Sequence, residues 1–478
     1  MKVGQTSFIL FVSRILSSVA GFVGTVIFAR VLGASVLGQF ALTLTVVSWL
    51  MIVADSGVSS AIAKRVSEGT EQSEYTVAGL VIIAGVGVLL ALFGVGFRTQ
   101  LNQYVGDSVA FYLLVLLIIA LGETVVTSVL NGQHSVHIVG YLNVIKIVGR
   151  VGTQLLLVFA GLGLTGLLVG QAVGWSLSAV IGTLFVRVQL RRPSRRHFKR
   201  LFEYIRYAWV GRLKSRSFNE VDILLLGVFT QQSLVGVYSV AWGISKFLST
   251  FDGAISQTIF PEISNADANA DTDYIGTLLT DALRFSGLIH IPGLVGGLLI
   301  GDRLLQIYGP EFEQGTAVLT VLIAATLLFG YQKQLLTGLN AIDRPDLSFR
   351  INLFFIIFNA LANVGLIYVF GWVGAAVATA LSAGGGILAT YWVLQKQIGF
   401  SVPYQGVLKQ VIAAVFMGGV ILGGRRVIRG HSALSGELLT VLVLVLIGAA
   451  VYFSALLIVS HKFRSALQRN LPGSLPYV

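Results

Sequence analysis

Fourteen stretches of about 20 mostly apolar residues follow one another along this chain. About 20 residues in a helix are enough to cross the roughly 30 Å hydrocarbon core of a bilayer. Only 11% of the 478 residues are charged, whereas soluble domains carry about 25%. The pattern therefore predicts an all-α polytopic membrane protein with no stretch left over for a soluble domain. The predicted spans are 7–29, 36–54, 77–97, 109–130, 139–159, 164–186, 204–227, 233–256, 279–300, 314–336, 347–370, 373–394, 405–424 and 435–459.

One basic segment sets the predicted orientation. Residues 187–200 carry seven Arg and Lys between spans six and seven. Since Lys and Arg gather in cytoplasmic loops, this segment predicts that both termini are cytoplasmic and that the chain lies in the cytoplasmic membrane. The net charge of +12 follows the same asymmetry, and there is no folded basic domain to bind nucleic acid. Cysteine is absent, which excludes disulfides and thiol catalysis.

Two halves of the chain resemble one another. An offset of 198 residues aligns Gly38 with Gly236 and Arg14 with Arg212, and the run 163–171 resembles 371–379. The matches predict two pseudo-symmetric six-helix lobes with the same orientation, a substrate site near the midplane between them, and transport by alternating access. The predicted divisions are an N-terminal lobe at 1–186, a basic cytoplasmic linker at 187–203, a C-terminal lobe at 204–394, and two additional helices with a basic tail at 395–478.

Positive side chains inside the spans are the main functional signal. A charge at membrane depth costs at least about 2.5 kcal/mol on insertion scales, so such residues normally face a bundle interior or a wet cavity. The guanidinium fork of Arg suits the oxygens of a phosphate or pyrophosphate. The candidate substrate-binding residues are Arg14, Asn143, Lys146, Arg150, Arg212, Arg216, Lys246 and Arg284. Of these, Asn143, Lys146 and Arg150 lie with Gln154 on one face of the fifth span.

Structural pairing is the alternative for each of these charges. Arg216 can pair with Glu220 one turn later. Glu123 and Asp222 are the clearest intramembrane carboxylates, and they can either couple transport to Na⁺ or H⁺ or neutralise a neighbouring cation. No other cofactor and no metal site is predicted.

Several short motifs resemble a known family. They are Phe28-Ala29-Arg30-Val31-Leu32-Gly33, Leu37-Gly38-Gln39-Phe40, Ala54-Asp55-Ser56-Gly57, Val221-Asp222, Phe260-Pro261-Glu262, Tyr308-Gly309, Leu339-Asn340 and Arg344-Pro345. In these the chain resembles the polysaccharide transporters, which are lipid-linked oligosaccharide flippases of the multidrug/oligosaccharidyl-lipid/polysaccharide (MOP) exporter superfamily. The resemblance implies two lobes around a cationic cavity, with Arg14 and Arg212 on the helices that contact the lipid pyrophosphate. It also implies that spans thirteen and fourteen form a groove for the lipid tail.

These observations predict a flippase, not an enzyme, that translocates a prenyl-(pyro)phosphate-linked oligosaccharide for surface polysaccharide or glycan assembly. The expected partners are that lipid, the membrane lipids and polysaccharide-assembly enzymes, and the expected state is a monomer. Three alternatives stay open: an ion-coupled multidrug exporter of the same superfamily, a membrane polysaccharide polymerase or ligase, and a lipid scramblase. The exporter would favour intramembrane carboxylates, and the enzyme would need a long outer loop that this sequence lacks.

Overall fold

Helices account for all regular secondary structure in the described part of the chain. The computed structural model describes the backbone of residues 3–55, 57–189, 191–429 and 437–470, with side chains described in 18–55, 57–189, 191–205, 218, 220–426 and 437–465. Within these ranges, eleven helices are long and apolar enough to cross a membrane. The predicted all-α, multi-pass membrane fold is therefore confirmed.

The helices coincide with most of the predicted spans, but the span predicted at 233–256 is broken at Ser249. In chain order they are α1 (Val3–Asp55), α2 (Val58–Ser67), α3 (Gln72–Gly96), α4 (Arg98–Val105), α5 (Ala110–Gly132), α6 (Val136–Phe159), α7 (Gly163–Thr183), α8 (Arg195–Phe229), α9 (Gln232–Leu248), α10 (Thr250–Ala268), α11 (Thr272–Gln306), α12 (Thr316–Ala341), α13 (Pro345–Gln395), α14 (Tyr404–Arg429), α15 (Glu437–Val459) and α16 (His461–Asn470). A short 3₁₀ helix, Pro310–Gly315, precedes α12.

Two glycines divide the longest helices. At 1.5 Å per residue, α1 with 53 residues and α13 with 51 would each be roughly 80 Å long, far more than one bilayer crossing. Gly33 (φ 79°) and Gly371 (φ 60°) interrupt them with left-handed backbone that favours glycine. Each long helix thus supplies two crossings. With α8, which is also long enough to span a bilayer, the number of crossings comes close to fourteen.

The chain divides into two compact units, Met1–Gly236 and Val237–Val478. The boundary lies after α8, so the helix that follows the basic segment belongs to the first unit. The predicted division at 187–203 rests on the repeat and stays a prediction.

Ion pairs and hydrogen bonds hold the start of α8 against the loop and helix that follow α2. Arg196 Nη2 lies 2.6 Å from Glu71 Oε2, and His197 Nε2 lies 3.4 Å from the same oxygen. The guanidinium of Arg200 donates to the hydroxyl of Tyr75 at 3.1 Å. The hydrogen bond from Arg196 lowers the pKa of Glu71 below its ordinary value. The basic segment therefore leads into a helix that packs against α2 and α3 within the first unit.

Glycine pairs recur at matched positions of the repeat. Gly163 (φ 48°) and Gly371 both have left-handed backbone, and three residues later Gly166 and Gly374 both lie close to the backbone of the preceding helical segment. A Cβ added at Gly374 would collide with the carbonyl oxygen of Leu366. At both positions a glycine without a side chain lets two successive helical segments approach closely.

A second pair meets directly inside the first unit. A Cβ added at Gly38 would collide with the carbonyl oxygen of Gln232, and one added at Gly236 would collide with the carbonyl oxygen of Ala34. Ala34 and Gln232 are themselves 198 residues apart, as are the two glycines. The contact between these two segments of the first unit is therefore reciprocal.

Candidate substrate-binding site

The polar residues of α6 lie within a group of four packed helices. In the first unit α6 packs against α7, α1 and α5. Positions of a membrane helix that face lipid normally carry apolar side chains, so the polar face of α6 is expected to face other helices. The neighbours of each polar residue therefore decide what it can do.

Two glycines of α7 bring the backbones of α6 and α7 together. A Cβ at Gly174 would lie 2.6 Å from the carbonyl oxygen of Lys146 and 2.7 Å from Cβ of Arg150. A Cβ at Gly170 would lie 2.8 Å from the amide nitrogen of Gln154. Small residues four apart are the usual way to achieve such close approach in a membrane. This packing fixes the backbone from which the polar side chains of α6 extend.

Glu123 of α5 pairs with Lys146 of α6. Their Oε1 and Nζ atoms lie 2.9 Å apart, and the side chains are 12% and 22% exposed. Ser178 of α7 donates to the same carboxylate oxygen at 3.1 Å. A partly buried ion pair with an extra donor is electrically neutral and well satisfied. The geometry therefore matches the charge-pairing alternative for Glu123, and ion coupling by this residue stays a prediction.

Arg150 has a different environment. Its closest polar partner is Oε1 of Gln171 on α7, at 3.5 Å from Nη1, and its Nε is buried without a hydrogen-bond partner. No carboxylate of the described residues lies within ion-pair distance of its guanidinium. A Cβ at Gly21 of α1 would lie 3.9 Å from Nη2. The fork thus lies between α1 and α7 with donors that remain available to an anionic ligand.

The other candidates of the first unit are spread over several helices. Asn143 is half-buried on the face of Lys146, and Asp222 is buried in α8. Gln154 donates to the carbonyl oxygen of Leu167 at 2.9 Å, which ties α6 to α7. The candidates in α1 and α8 whose side chains lie outside the described residues are Arg14, Arg212 and Arg216.

The second unit holds two candidates in separate places. Lys246 is exposed in the last turn of α9. Arg284 of α11 donates to Asp281 one turn earlier at 2.6 Å, and its carbonyl oxygen accepts from Gln410 of α14 at 2.8 Å. Arg284 lines a cavity of about 470 Å³ beside the C-terminal helices. The assignment of all these residues to substrate binding stays a prediction.

Two residues of α7 were not among the sequence candidates. Gln171 and Ser178 complete the surroundings of Arg150 and Glu123. Their spacing of seven residues, around Gly174, would place them on one helix face, and this was the available signal. Within the described residues, no group of three or more His, Cys, Asp or Glu is placed to hold a metal ion.

The fold is similar to that of solved membrane transporters. The lipid II flippase MurJ in its inward closed conformation superposes with a TM-score of 0.76 at 17% identity, over 97% of this chain and 99% of that one. An inward-facing multidrug resistance MATE transporter of the MOP superfamily superposes with a TM-score of 0.59 at 16% identity, over 81% of this chain and 94% of that one. At these identities the likeness shows the fold.

The family follows from the sequence. The family described as "Polysaccharide biosynthesis protein" matches residues 3–266, and the chain belongs to it. Two proteins of Haloferax volcanii are similar over nearly their whole length. The probable low-salt glycan biosynthesis flippase Agl15 is 28% identical over 100% of both chains, and the probable flippase AglR is 29% identical over 99% of both. The resemblance read from the short motifs is thereby confirmed.

Proposed function

We propose that this protein is a flippase that translocates a prenyl-(pyro)phosphate-linked oligosaccharide across the cytoplasmic membrane by alternating access. The observation that carries the proposal is the guanidinium of Arg150, held among membrane helices with its donors unmatched by any described carboxylate. An uncompensated cation at this depth is costly, and an anionic ligand would offset that cost. Arg also provides the fork geometry that a phosphate prefers.

The relatives support transport as the activity. Both Haloferax proteins are named as probable flippases, and the fold is similar to that of a lipid II flippase. A transport protein that is not an enzyme was the expectation from the sequence, and these names confirm it. The substrate class is supported by the family description and by the word glycan in the name of Agl15.

A flippase of this kind divides its substrate by polarity. A sugar and its phosphate carry hydroxyl groups and charges that are expensive to move through hydrocarbon, whereas a prenyl chain is not. The protein would therefore accommodate the head group beside polar residues such as Arg150 and Gln171 while the prenyl chain stays in the bilayer. Alternating access is supported by the internal repeat and by MATE transporters of this fold in inward-facing and outward-facing conformations.

The multidrug exporter is less well supported. The superposition on MATE transporters covers 81% of this chain, compared with 97% for the lipid flippase, and the TM-score falls from 0.76 to 0.59. The chemistry also differs, because cationic drugs would be repelled by a guanidinium that has no counter-ion.

We further propose the predicted setting of the flippase. The basic segment 187–200 favours cytoplasmic termini. The partners are the lipid-linked oligosaccharide, the surrounding lipids and the enzymes of glycan assembly, with the protein acting as a monomer. Coupling to Na⁺ or H⁺ belongs to the same proposal, with Asp222 as a candidate carboxylate because Glu123 is already paired with Lys146.

Reconstitution tests the proposed function. Purified protein in liposomes should move a labelled lipid-linked oligosaccharide between leaflets, as measured by its accessibility to a membrane-impermeant reagent. A labelled phospholipid without sugar serves as the control, and it should stay in its leaflet. Equal movement of both lipids would indicate a scramblase, and transport of a cationic dye without movement of the glycolipid would indicate the exporter.

A second test concerns the two arginines matched by the repeat. We expect Arg14→Ala and Arg212→Ala each to reduce translocation while membrane insertion stays intact, because the repeat places them at equivalent positions of the first and seventh predicted spans. The assay is the same reconstitution, with protein yield and elution profile as the insertion control. Normal translocation in both variants would remove them from the binding site.

A further inference from the structure

The second unit contains a buried acid–base pair that the proposed binding site does not use. Asp252, in the first turn of α10, is 1% exposed, and His290 of α11 is fully buried. Oδ2 of Asp252 lies 3.6 Å from Nε2 of His290. Among the described residues, neither carboxylate oxygen of Asp252 has a hydrogen-bond donor within reach. A bare ionised carboxylate in this position would be far more costly than a protonated one.

The remaining contact of His290 determines how its protons are arranged. Its Nδ1 lies 3.2 Å from the carbonyl oxygen of Ser286. A carbonyl only accepts, so Nδ1 must carry a hydrogen and donate it. In a neutral imidazole, Nε2 then presents a lone pair towards the carboxylate of Asp252. Two acceptors would repel one another, whereas a proton on either Oδ2 or Nε2 removes that repulsion.

The surroundings of the pair are closely packed and positively charged on one side. The backbone of α12 encloses the carboxylate, since a Cβ at Gly330 would lie 2.8 Å from Oδ2 of Asp252. Gln334 of the same helix donates to the carbonyl oxygen of Asp252 at 3.1 Å. The titratable groups that face Asp252 from the helices packed on α10 are His290 from α11 and Lys333 and Tyr331 from α12. The ammonium of Lys333 provides a nearby positive charge for the carboxylate when the proton leaves.

The first half of the chain offers a natural comparison. The offset of 198 places Asp55 within one residue of Asp252. Asp55 accepts hydrogen bonds from the backbone amide of Ser59 at 2.7 Å and from its hydroxyl at 2.9 Å, at the start of α2. Its negative charge is therefore stabilised by donors. The matched carboxylates of the two halves thus differ in hydrogen bonding, which is one of the properties that set the proton affinity of a carboxylate.

We propose that Asp252 and His290 form a proton-binding site within the second unit, and that release and uptake of its proton are coupled to translocation. The proton resides on Oδ2 or on Nε2, which lie 3.6 Å apart, and it leaves to water without any change in bonds between heavy atoms. Coupling of this proton to translocation rests on the proposed flippase function, whereas proton binding by Asp252 and His290 does not.

Infrared spectroscopy of the purified protein tests proton binding without any transport. At neutral pH we expect the carbonyl stretch of a protonated carboxylic acid, absent in Asp252→Asn and shifted in His290→Gln. Asp55→Asn is the matched control and should leave the band unchanged. Asparagine keeps the shape of a protonated aspartic acid and can donate to Nε2, and His290→Gln gives a second readout if the first variant does not fold.

Two spectroscopic results would overturn the proton site. One is the absence of any Asp252-dependent band between about pH 5 and pH 9, a range that brackets the usual histidine titration. The other is loss of the band on adding Na⁺ at constant pH, which would identify a sodium site instead.

Liposomes with a pH gradient test the coupling. One pH unit can bias a one-proton exchange by up to about tenfold, so labelled glycolipid should accumulate in one leaflet by at most that ratio. Asp252→Asn should abolish the accumulation, and Asp55→Asn should retain it. Accumulation that persists in Asp252→Asn would overturn the coupling, while a complete lack of flipping in the wild type would overturn the proposed function and leave the infrared result standing.

Discussion

We expect Arg150→Ala to weaken the apparent affinity for lipid-linked oligosaccharide by about tenfold to a hundredfold. Hydrogen bonds to charged groups contribute about 1.5–3 kcal/mol, and each 1.4 kcal/mol corresponds to a factor of ten. Protein stability should change little, because Arg150 has no carboxylate partner among the described residues to leave unpaired. The measurement is the dependence of translocation rate on glycolipid concentration in reconstituted liposomes.

The neighbouring ion pair provides a matched control for Arg150. The double variant Glu123→Gln/Lys146→Met removes both members of a neutral pair, so neither buried charge is left alone. It should retain near-normal affinity, while Arg150→Lys, which keeps the charge and loses the fork, should be intermediate. If the double variant is impaired as strongly as Arg150→Ala, the substrate is not selected by the unmatched guanidinium.

The α6 stripe shows how far the sequence alone could lead. Helical spacing correctly placed Asn143, Lys146, Arg150 and Gln154 on one face. Spacing does not predict which neighbouring side chain or backbone group each residue contacts. Three of these four residues contact three different kinds of partner. Lys146 donates to a carboxylate of α5, Gln154 donates to a backbone carbonyl of α7, and Arg150 donates to the neutral side-chain amide of Gln171. Only the last of these leaves donors available to a ligand.

The pairing of Asp252 with His290 lay beyond the reach of sequence patterns. The residues are 38 positions apart on successive helices, and their contact depends on how α10 and α11 pack. The spans themselves were readable because hydrophobicity over about 20 residues reports a bilayer crossing directly. The interruption of α1 at Gly33 could not be predicted from the sequence. A short gap between two apolar segments is compatible with a loop and also with a single glycine of positive φ.

We expect Gly38→Ala and Gly236→Ala each to destabilise the folded protein by about 1–3 kcal/mol, the usual cost of overpacking. In each case the added methyl group collides with a backbone carbonyl of the opposing helix, which cannot move aside as a flexible side chain could. The helices must then separate and lose the close contact that stabilises them in a membrane. The measurement is the thermal midpoint of the detergent-solubilised protein, followed by loss of the monodisperse elution peak.

Gly243→Ala is the matched control, because Gly243 lies on the same helix as Gly236 and its Cβ would meet nothing within 4 Å. It should be neutral or slightly stabilising, since alanine is the better helix former. The double variant Gly38→Ala/Gly236→Ala should cost less than the two single costs added together. Both methyl groups force apart the same pair of backbones, so helices already separated by one have room for the other. If the two costs in unfolding free energy add exactly, Gly38 and Gly236 act at independent contacts and not at one reciprocal contact.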